Sequence, residues 1–207
     1  DVAHRAAAEA EGLGLSPVLL KSVTVEGSSN LEDNARIARY RAFTEALRET
    51  GAHGVVLAHS LDDQAETVLL GLTRGSGPSG LKGMPVTDGA FHRPFLGIQR
   101  TTLRQALTDA GLEWWEDPHN TDERFTRVRV RQQVMPVLEK ELGPGVAQAL
   151  ARTAELFRED SSALDEQASQ WFTEHAHSEG EGHASLEVAD LEQTSMALQT
   201  RVLRMLV

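Results

Sequence analysis

The chain has 207 residues, no cysteine, 40% hydrophobic residues and a formal net charge of −11. Those values fit one domain plus a smaller second one. They exclude disulfides, thiolate metal sites and a cysteine nucleophile, and no run approaches the ~20 apolar residues of a membrane span.

The acidity argues against a nucleic-acid partner until its distribution is read. Residues 139–193 hold 13 Asp and Glu against 3 Lys and Arg, whereas the remainder holds 18 acids and 17 bases. Nearly all the excess is therefore C-terminal, and the rest of the chain has the composition for a local basic patch.

In chain order, residues 1–14 (DVAHRAAAEAEGLG) read as a helix stopped at Gly12 or Gly14. Ser16–Val25 carries a β-rich run, VLLKSVTV, followed by a loop, EGSSN. Asn30–Glu49 is expected to be a long helix with Ile37, Tyr40, Phe43 and Leu47 on one stripe. Gly54–Ala58 (GVVLA) has the character of a short buried strand. Beyond it, Ala65, Val68, Leu69 and Leu72 recur at helical spacing. This β-α-β rhythm predicts parallel strands joined by crossovers.

Arg74–Gly83 reads as a glycine-rich connector, Ile98–Ala110 as a helix and Glu113–Asn120 (EWWEDPHN) as a loop. Arg124–Glu141 should be largely helical around Pro136, and LGPG (Leu142–Gly145) a linker. Val146–Phe172 reads as one helix about 40 Å long. Val146, Leu150, Thr153, Phe157, Leu164, Ala168 and Trp171 line its seam, which Ser161 interrupts. HSEGEGH (His177–His183) is expected to be a solvated loop, and Met196–Val207 a helix with Leu198, Val202, Met205 and Leu206 on one face. The expected fold class is α/β: a Rossmann-like parallel sheet flanked by helices over residues 1–143, then a mainly helical part over 144–207.

His59, Asp62, Asp63 and Glu66 fall where a strand gives way to a helix, and ligands of open α/β sheets bind beyond the carboxyl ends of strands. A plainer reading exists. Ser60 with Asp63 resembles a capping box, and first-turn acids complement the helix dipole, each effect worth about 1 kcal/mol. Capping accounts for Asp62 or Asp63, but not for His59, nor for Glu66 one turn beyond Asp63 on the same face. From these residues alone both readings stand open.

A second concentration is Arg124–Arg131 (RFTRVRVR), with four arginines in eight residues. Arg124, Arg127 and Arg131 have the spacing of one helical face, with no acid after Glu123. Most charge runs are solvated helix faces, but clustered guanidinium groups also suit a nucleotide or an RNA backbone. Of the adjacent Trp114 and Trp115, at most one is expected in the core, leaving the other to stack on a base. RGSGPSG follows a helix instead of joining a strand to one, so it is read as a flexible connector and not as a phosphate cradle.

The ordered set NARIARYRAF (34–43), AHSLDDQAETVLLGLTRGSGPSGLKGM (58–84), RPFLGIQR (93–100), WEDPHNTDERFTRVRVR (115–131) and MPVLEKELG (135–143) resembles the tRNA(Ile)-lysidine synthases of the PP-loop ATP pyrophosphatase superfamily. The H-x-x-D-D-x-x-E-T core is shared with tRNA thiolases. RGSG-x-x-GL-x-GM and EDP-x-N…R-x-R-x-R point to the lysidine branch, and the lack of cysteine counts against a thiolase.

The resemblance implies a cytoplasmic ligase that joins L-lysine to C2 of the wobble cytidine of an isoleucine tRNA with a CAU anticodon. ATP, with Mg2+, adenylates the base and releases pyrophosphate; the lysine amine then displaces AMP. It implies that His59 and Arg39 lie by ATP and that Asp63 and Glu66 hold lysine. Asp63 and Arg131 would be catalytic, and Arg36, Arg74, Arg127 and Arg129 would meet tRNA or nucleotide phosphates. No resident metal and no membrane partner are expected, and a homo-oligomer is left open. Two other readings are a non-catalytic RNA-binding relic and a metal-dependent hydrolase using His59, Asp62, Asp63 and Glu66.

The sequence departs from the family in two places. It contains no SGGxDS nucleotide loop, and Val128 stands where the family commonly has Asn. It is accordingly read as a piece that starts after that loop and stops within its last helix, inactive by itself. A lysine ammonium titrates near 10.4 and an aspartate near 3.9, a gap worth about 9 kcal/mol. Asp63 and Glu66 are thus read as electrostatic positioners, not as unaided bases.

Overall fold

The computed structural model describes residues 2–25, 31–75, 77–180 and 183–206. In chain order the elements are α1 (Val2–Gly12), α2 (Leu31–Thr50), β1 (Val55–Val56), α3 (Leu61–Thr73), α4 (Gly77–Leu81), β2 (Thr87–Asp88), β3 (Phe91–His92), α5 (Arg100–Asp109) and α6 (Thr126–Arg129). There follow α7 (Met135–Leu142), α8 (Val146–His175), β4 (His177–Gly180), β5 (His183–Ser185), α9 (Val188–Glu192) and α10 (Met196–Met205). A 3-10 turn occupies Pro118–Thr121 and a π turn Val130–Val134. Contacts divide the chain into two units, Asp1–Ser60 with Pro85–Gln132, and Leu61–Met84 with Gln133–Val207.

The first unit holds a three-stranded sheet in the order β1-β3-β2. A parallel pairing joins β1 to β3, with Val55 opposite Phe91, in place of the one expected between β1 and the 16–25 run. β2 runs antiparallel to β3, with Asp88 opposite Phe91, so the sheet is mixed instead of wholly parallel. Tyr40 and Phe43 of α2 pack on Phe91, with ring centroids 4.8 and 6.4 Å apart. Ile37, expected on the same stripe, is exposed, which narrows the buried face to Tyr40, Phe43 and Leu47.

Ser16–Val25 is not a strand. A strand needs a neighbour to take its backbone donors and acceptors, and among the described residues none pairs with this run. Its Leu19, Leu20 and Val23 are 43, 49 and 47% exposed. Lys21 ties the segment to α2 instead, with Nζ 2.6 Å from Glu49. The expected EGSSN loop lies outside the described residues.

In the second unit α3 and α10 pack on α8. The buried residues of α8 are Ala147, Ala154, Ser161 and Ala168, one every seven positions. A seven-residue repeat keeps one seam facing its neighbours, and small side chains let those neighbours approach. Ser161 therefore belongs to the seam and does not interrupt it. Val146, Leu150, Phe157, Leu164 and Trp171 flank the seam half-buried, while Thr153 is exposed. The segment expected to be a solvated loop at 177–183 contributes instead to an antiparallel hairpin, β4 with β5.

Glu139 of α7 caps α8, its carboxylate accepting from the backbone N–H of Ala147 at 2.9 Å and of Gly145 at 2.6 Å. The Ala147 bond does most to hold this carboxyl below its ordinary value; burial opposes it, and the Gly145 and Val146 N–H groups add to it. Where α3 meets α4 the approach is close: a Cβ on Gly71 would lie 2.2 Å from the Gly80 carbonyl oxygen.

Two outcomes are expected. Gly71→Ala should cost about 2 kcal/mol through overpacking, read as a lower urea midpoint at unchanged slope; an unchanged midpoint would contradict the close approach. Because the folded Glu139 carboxyl titrates below its ordinary 4.5, its cap stabilises above about that pH and is lost as pH falls through the depressed value. Glu139→Gln should therefore flatten the acid limb of the stability profile, measured by thermal unfolding between pH 3 and 6.

Candidate functional site

The carboxylates first noticed in the sequence stand on α3. Asp62 and Asp63 occupy its first turn, where acids favour the helix dipole. The buried residues of the helix are Leu61, Gln64, Ala65, Glu66, Val68 and Gly71. Leu72, expected on the apolar stripe, is exposed. Glu66 is 1% exposed, while Asp63 is half-buried. Of the pair, Asp63 is the more accessible to solvent.

Within the glycine-rich segment after α3, read from the sequence as a flexible connector, the described residues include the short helix α4 and several fixed contacts at the C-terminal end. The Gln64 side-chain amide donates to the Met84 carbonyl at 2.8 Å and accepts from the Met84 N–H at 2.7 Å. Arg158 of α8 donates from Nη2 to the carbonyl oxygens of Lys82 and of Met84, the latter at 2.8 Å. Lys82 Nζ lies 3.5 Å from Asp165, which also accepts from Arg201 Nε of α10 at 2.7 Å. Burial pushes the Asp165 carboxyl up, but the Arg201 hydrogen bond and the two positive charges outweigh it and leave the group below its ordinary value. Arg74, just past the end of α3, is exposed.

The remaining residues singled out in the sequence belong to the first unit. His59 is half-buried in the link that follows β1. Arg36 and Arg39 are exposed on α2. The Arg36 guanidinium lies over the Tyr40 ring, 4.8 Å from its centroid, and donates to the Tyr40 hydroxyl at 3.2 Å. Arg93 is 2% exposed and donates to the same hydroxyl at 3.3 Å and to the Pro85 carbonyl at 2.9 Å. Tyr40 thus joins a buried arginine to a surface one, a role no sequence spacing signalled.

The arginine block differs from the expected helical face. Helix α6 starts at Thr126, so Arg124 precedes it and forks onto Asp122, with Nε–O distances of 3.0 and 2.9 Å. Arg129 donates to the carbonyls of Glu123 at 2.6 Å and Arg124 at 3.0 Å, and to the Thr126 hydroxyl at 3.0 Å. These two arginines build the turn. Arg127 and Arg131 are half-buried, alternating with buried Val128 and Val130. Arg131 lies in the π turn, a helical irregularity that recurs at functional sites.

Trp114 and Trp115 are both exposed, so neither is a core residue. Trp114 Nε1 donates to Glu116 at 3.0 Å. Among the described residues, no group of three or more His, Asp or Glu side chains gathers closely enough to hold a metal ion, and no helix is long and apolar enough to cross a membrane.

The sequence model of the PP-loop domain family matches residues 9–138, more than half of the chain. A tRNA(Ile)-lysidine synthase from Leifsonia xyli subsp. xyli is 54% identical over all of this chain and 62% of its own length. One from Tropheryma whipplei (strain TW08/27) is 35% identical over 99% of the chain and 68% of its own length. The chain belongs to the tRNA(Ile)-lysidine synthase family of PP-loop proteins.

A third member, from Thermobifida fusca, is 45% identical over 98% of the chain and 61% of its own length. The chain spans about three-fifths of the length of the first-ranked curated relatives it matches. The PP-loop match contains α3 and the arginine block; Arg158, Asp165 and Arg201 lie beyond it, in the part shared with the synthases.

Removing the self-directed bonds of Arg129 tests the reading of the arginine turn. Arg129→Ala should lower stability by about 1–2 kcal/mol, seen as a reduced thermal midpoint, because two carbonyls and a hydroxyl lose their donor. A midpoint equal to that of the unaltered protein would show that the turn does not depend on it.

Proposed function

We propose that this chain carries the catalytic core of a ligase that joins L-lysine to C2 of the wobble cytidine in an isoleucine tRNA with a CAU anticodon, acting in the cytoplasm. The observation that carries this reading is the family membership, with 54% identity to a synthase running through α3 and the arginine block. Residues 1–143 are assigned to the catalytic part, and 144–207 to a helical connector and the start of a substrate-binding part.

The chemistry has two steps. The cytidine O2 attacks the α-phosphate of the magnesium–ATP substrate, and pyrophosphate leaves. A lysine amine then attacks C2, the C2–O bond breaks, and AMP departs with the oxygen. Cations serve the first step by meeting phosphate charge where it shifts in the transition state. His59 and Arg39 are assigned to ATP, Arg131 to the leaving phosphates, and Arg36, Arg74, Arg127 and Arg129 to nucleotide or tRNA phosphates. Arg129 is the weakest of these assignments, since engaging a phosphate would release the carbonyls it holds. Magnesium enters with the nucleotide.

Asp63 and Glu66 serve the second step. A carboxylate near an ammonium group favours the charged form, so these side chains bind and orient lysine, and the attacking amine must shed its proton once positioned. The half-burial of Asp63 supports a direct contact. Glu66, almost completely buried one turn further along the same helix, is assigned to lysine with it.

Asp63→Ala in the full-length gene product should reduce lysine incorporation into tRNA about a hundredfold or more while circular dichroism stays unchanged. Normal lysidine formation would contradict the assignment. Arg131→Ala should lower turnover by about a hundredfold with a thermal midpoint near that of the wild type, and parallel loss of activity and folding would count against a role in the chemistry.

A further inference from the structure

We propose that Arg158 is a positioning residue for the lysine-binding carboxylates of α3, acting through the Lys82–Met84 strap and Gln64. The inference rests on the assignment of Asp63 and Glu66 to lysine.

The Gln64 amide and the Met84 backbone exchange two hydrogen bonds, 2.8 and 2.7 Å long, in a closed ring. An amide pinned through both its oxygen and its nitrogen cannot turn without breaking both bonds. Gln64 is 4% exposed, so water does not compensate a broken bond there. It lies between Asp63 and Glu66 on α3, and in a rigid helix the direction of one side chain fixes the directions of its neighbours. Where Met84 sits therefore trims the rotation that the packing of α3 on α8 allows, and with it the aim of both carboxylates.

Met84 in turn is held by Arg158. One terminal nitrogen donates to the carbonyls of both Lys82 and Met84. The Met84 oxygen thus accepts from Arg158 and from Gln64 together. Gly83, between the two carbonyls, has φ +57°, and a Cβ there would lie 2.5 Å from Gln64 Oε1. The strap is shaped to admit this glutamine and no bulkier backbone. Packing of α3 on α8 and the Lys82–Asp165–Arg201 chain are independent of Arg158, so its loss loosens the strap without removing what holds the unit together.

The test compares Arg158→Met, which keeps the stem and removes the donors, with Arg158→Lys. Both bonds issue from a single nitrogen, so one ammonium group suffices to remake them. Lysine KM and kcat are measured in the full-length gene product at saturating ATP and tRNA, together with amide hydrogen exchange at Met84. Arg158→Met should raise the KM for lysine about tenfold with kcat within about twofold, and speed exchange at Met84; Arg158→Lys should restore both. Gly83→Ala, which presses on Gln64 from the strap side, should shift KM in the same direction and serves if Arg158→Met does not fold. A purely structural residue would lower the active fraction, so kcat would fall with KM unchanged. Unchanged KM, or a loss that lysine does not rescue, overturns the proposal. A wild-type enzyme that consumes no lysine removes the assignment of α3 itself, an outcome distinct from an unchanged KM in a working enzyme.

Discussion

Two hydrogen bonds tie the Gln64 side chain of α3 to the Met84 backbone, and the roles proposed for that helix depend on its keeping one rotation. An unsatisfied buried amide costs about 1–3 kcal/mol, so the glutamine and the strap must fold together. The same helix buries Glu66 almost completely. A buried carboxylate survives only with partners to offset its lost hydration. A helix free to rotate could not keep that side chain in one place. The small-residue seam of α8 and the cap from Glu139 serve the same end, since α8 is the surface on which α3 and its strap rest.

Arginine use follows a division of labour within the first unit. Arg124 and Arg129 spend their donors on Asp122 and on the carbonyls of their own turn. That turn carries Arg127 and Arg131 into a stretch where buried valines alternate with them. Tyr40 does similar work on α2, receiving a buried arginine on one side and steadying Arg36 on the other. In both places some cations are structural so that others have a fixed position. The net charge of −11 leaves room for the phosphate contacts proposed for these arginines, because most of the excess of acids over bases lies beyond residue 138.

Local pattern made some of this legible. The run from Leu61 to Thr73 declared itself a helix, and Ala65 and Val68 are buried as their spacing predicts. The motifs that resemble the synthase family led to the family the chain belongs to. Pairing and packing were less legible, because they depend on partners far along the chain. VLLKSVTV has strand propensity, but propensity without a ladder leaves it unpaired. The seam of α8 runs through Ala and Ser, which a search for large apolar residues passes over. The strap rests on Gln64, 20 positions before Met84, on Arg158, 74 positions after it, and on a glycine of positive φ, and no local spacing connects them. Of Trp114 and Trp115 at most one is expected in the core, and both are exposed.

The most direct measurement is the mass of the wobble nucleoside after an isoleucine tRNA with a CAU anticodon is incubated with the full-length gene product, lysine and ATP. The account predicts a nucleoside heavier by one lysine less one water, with AMP and pyrophosphate released in equal amount. A wobble cytidine of unchanged mass, or one that has gained sulfur, would contradict it.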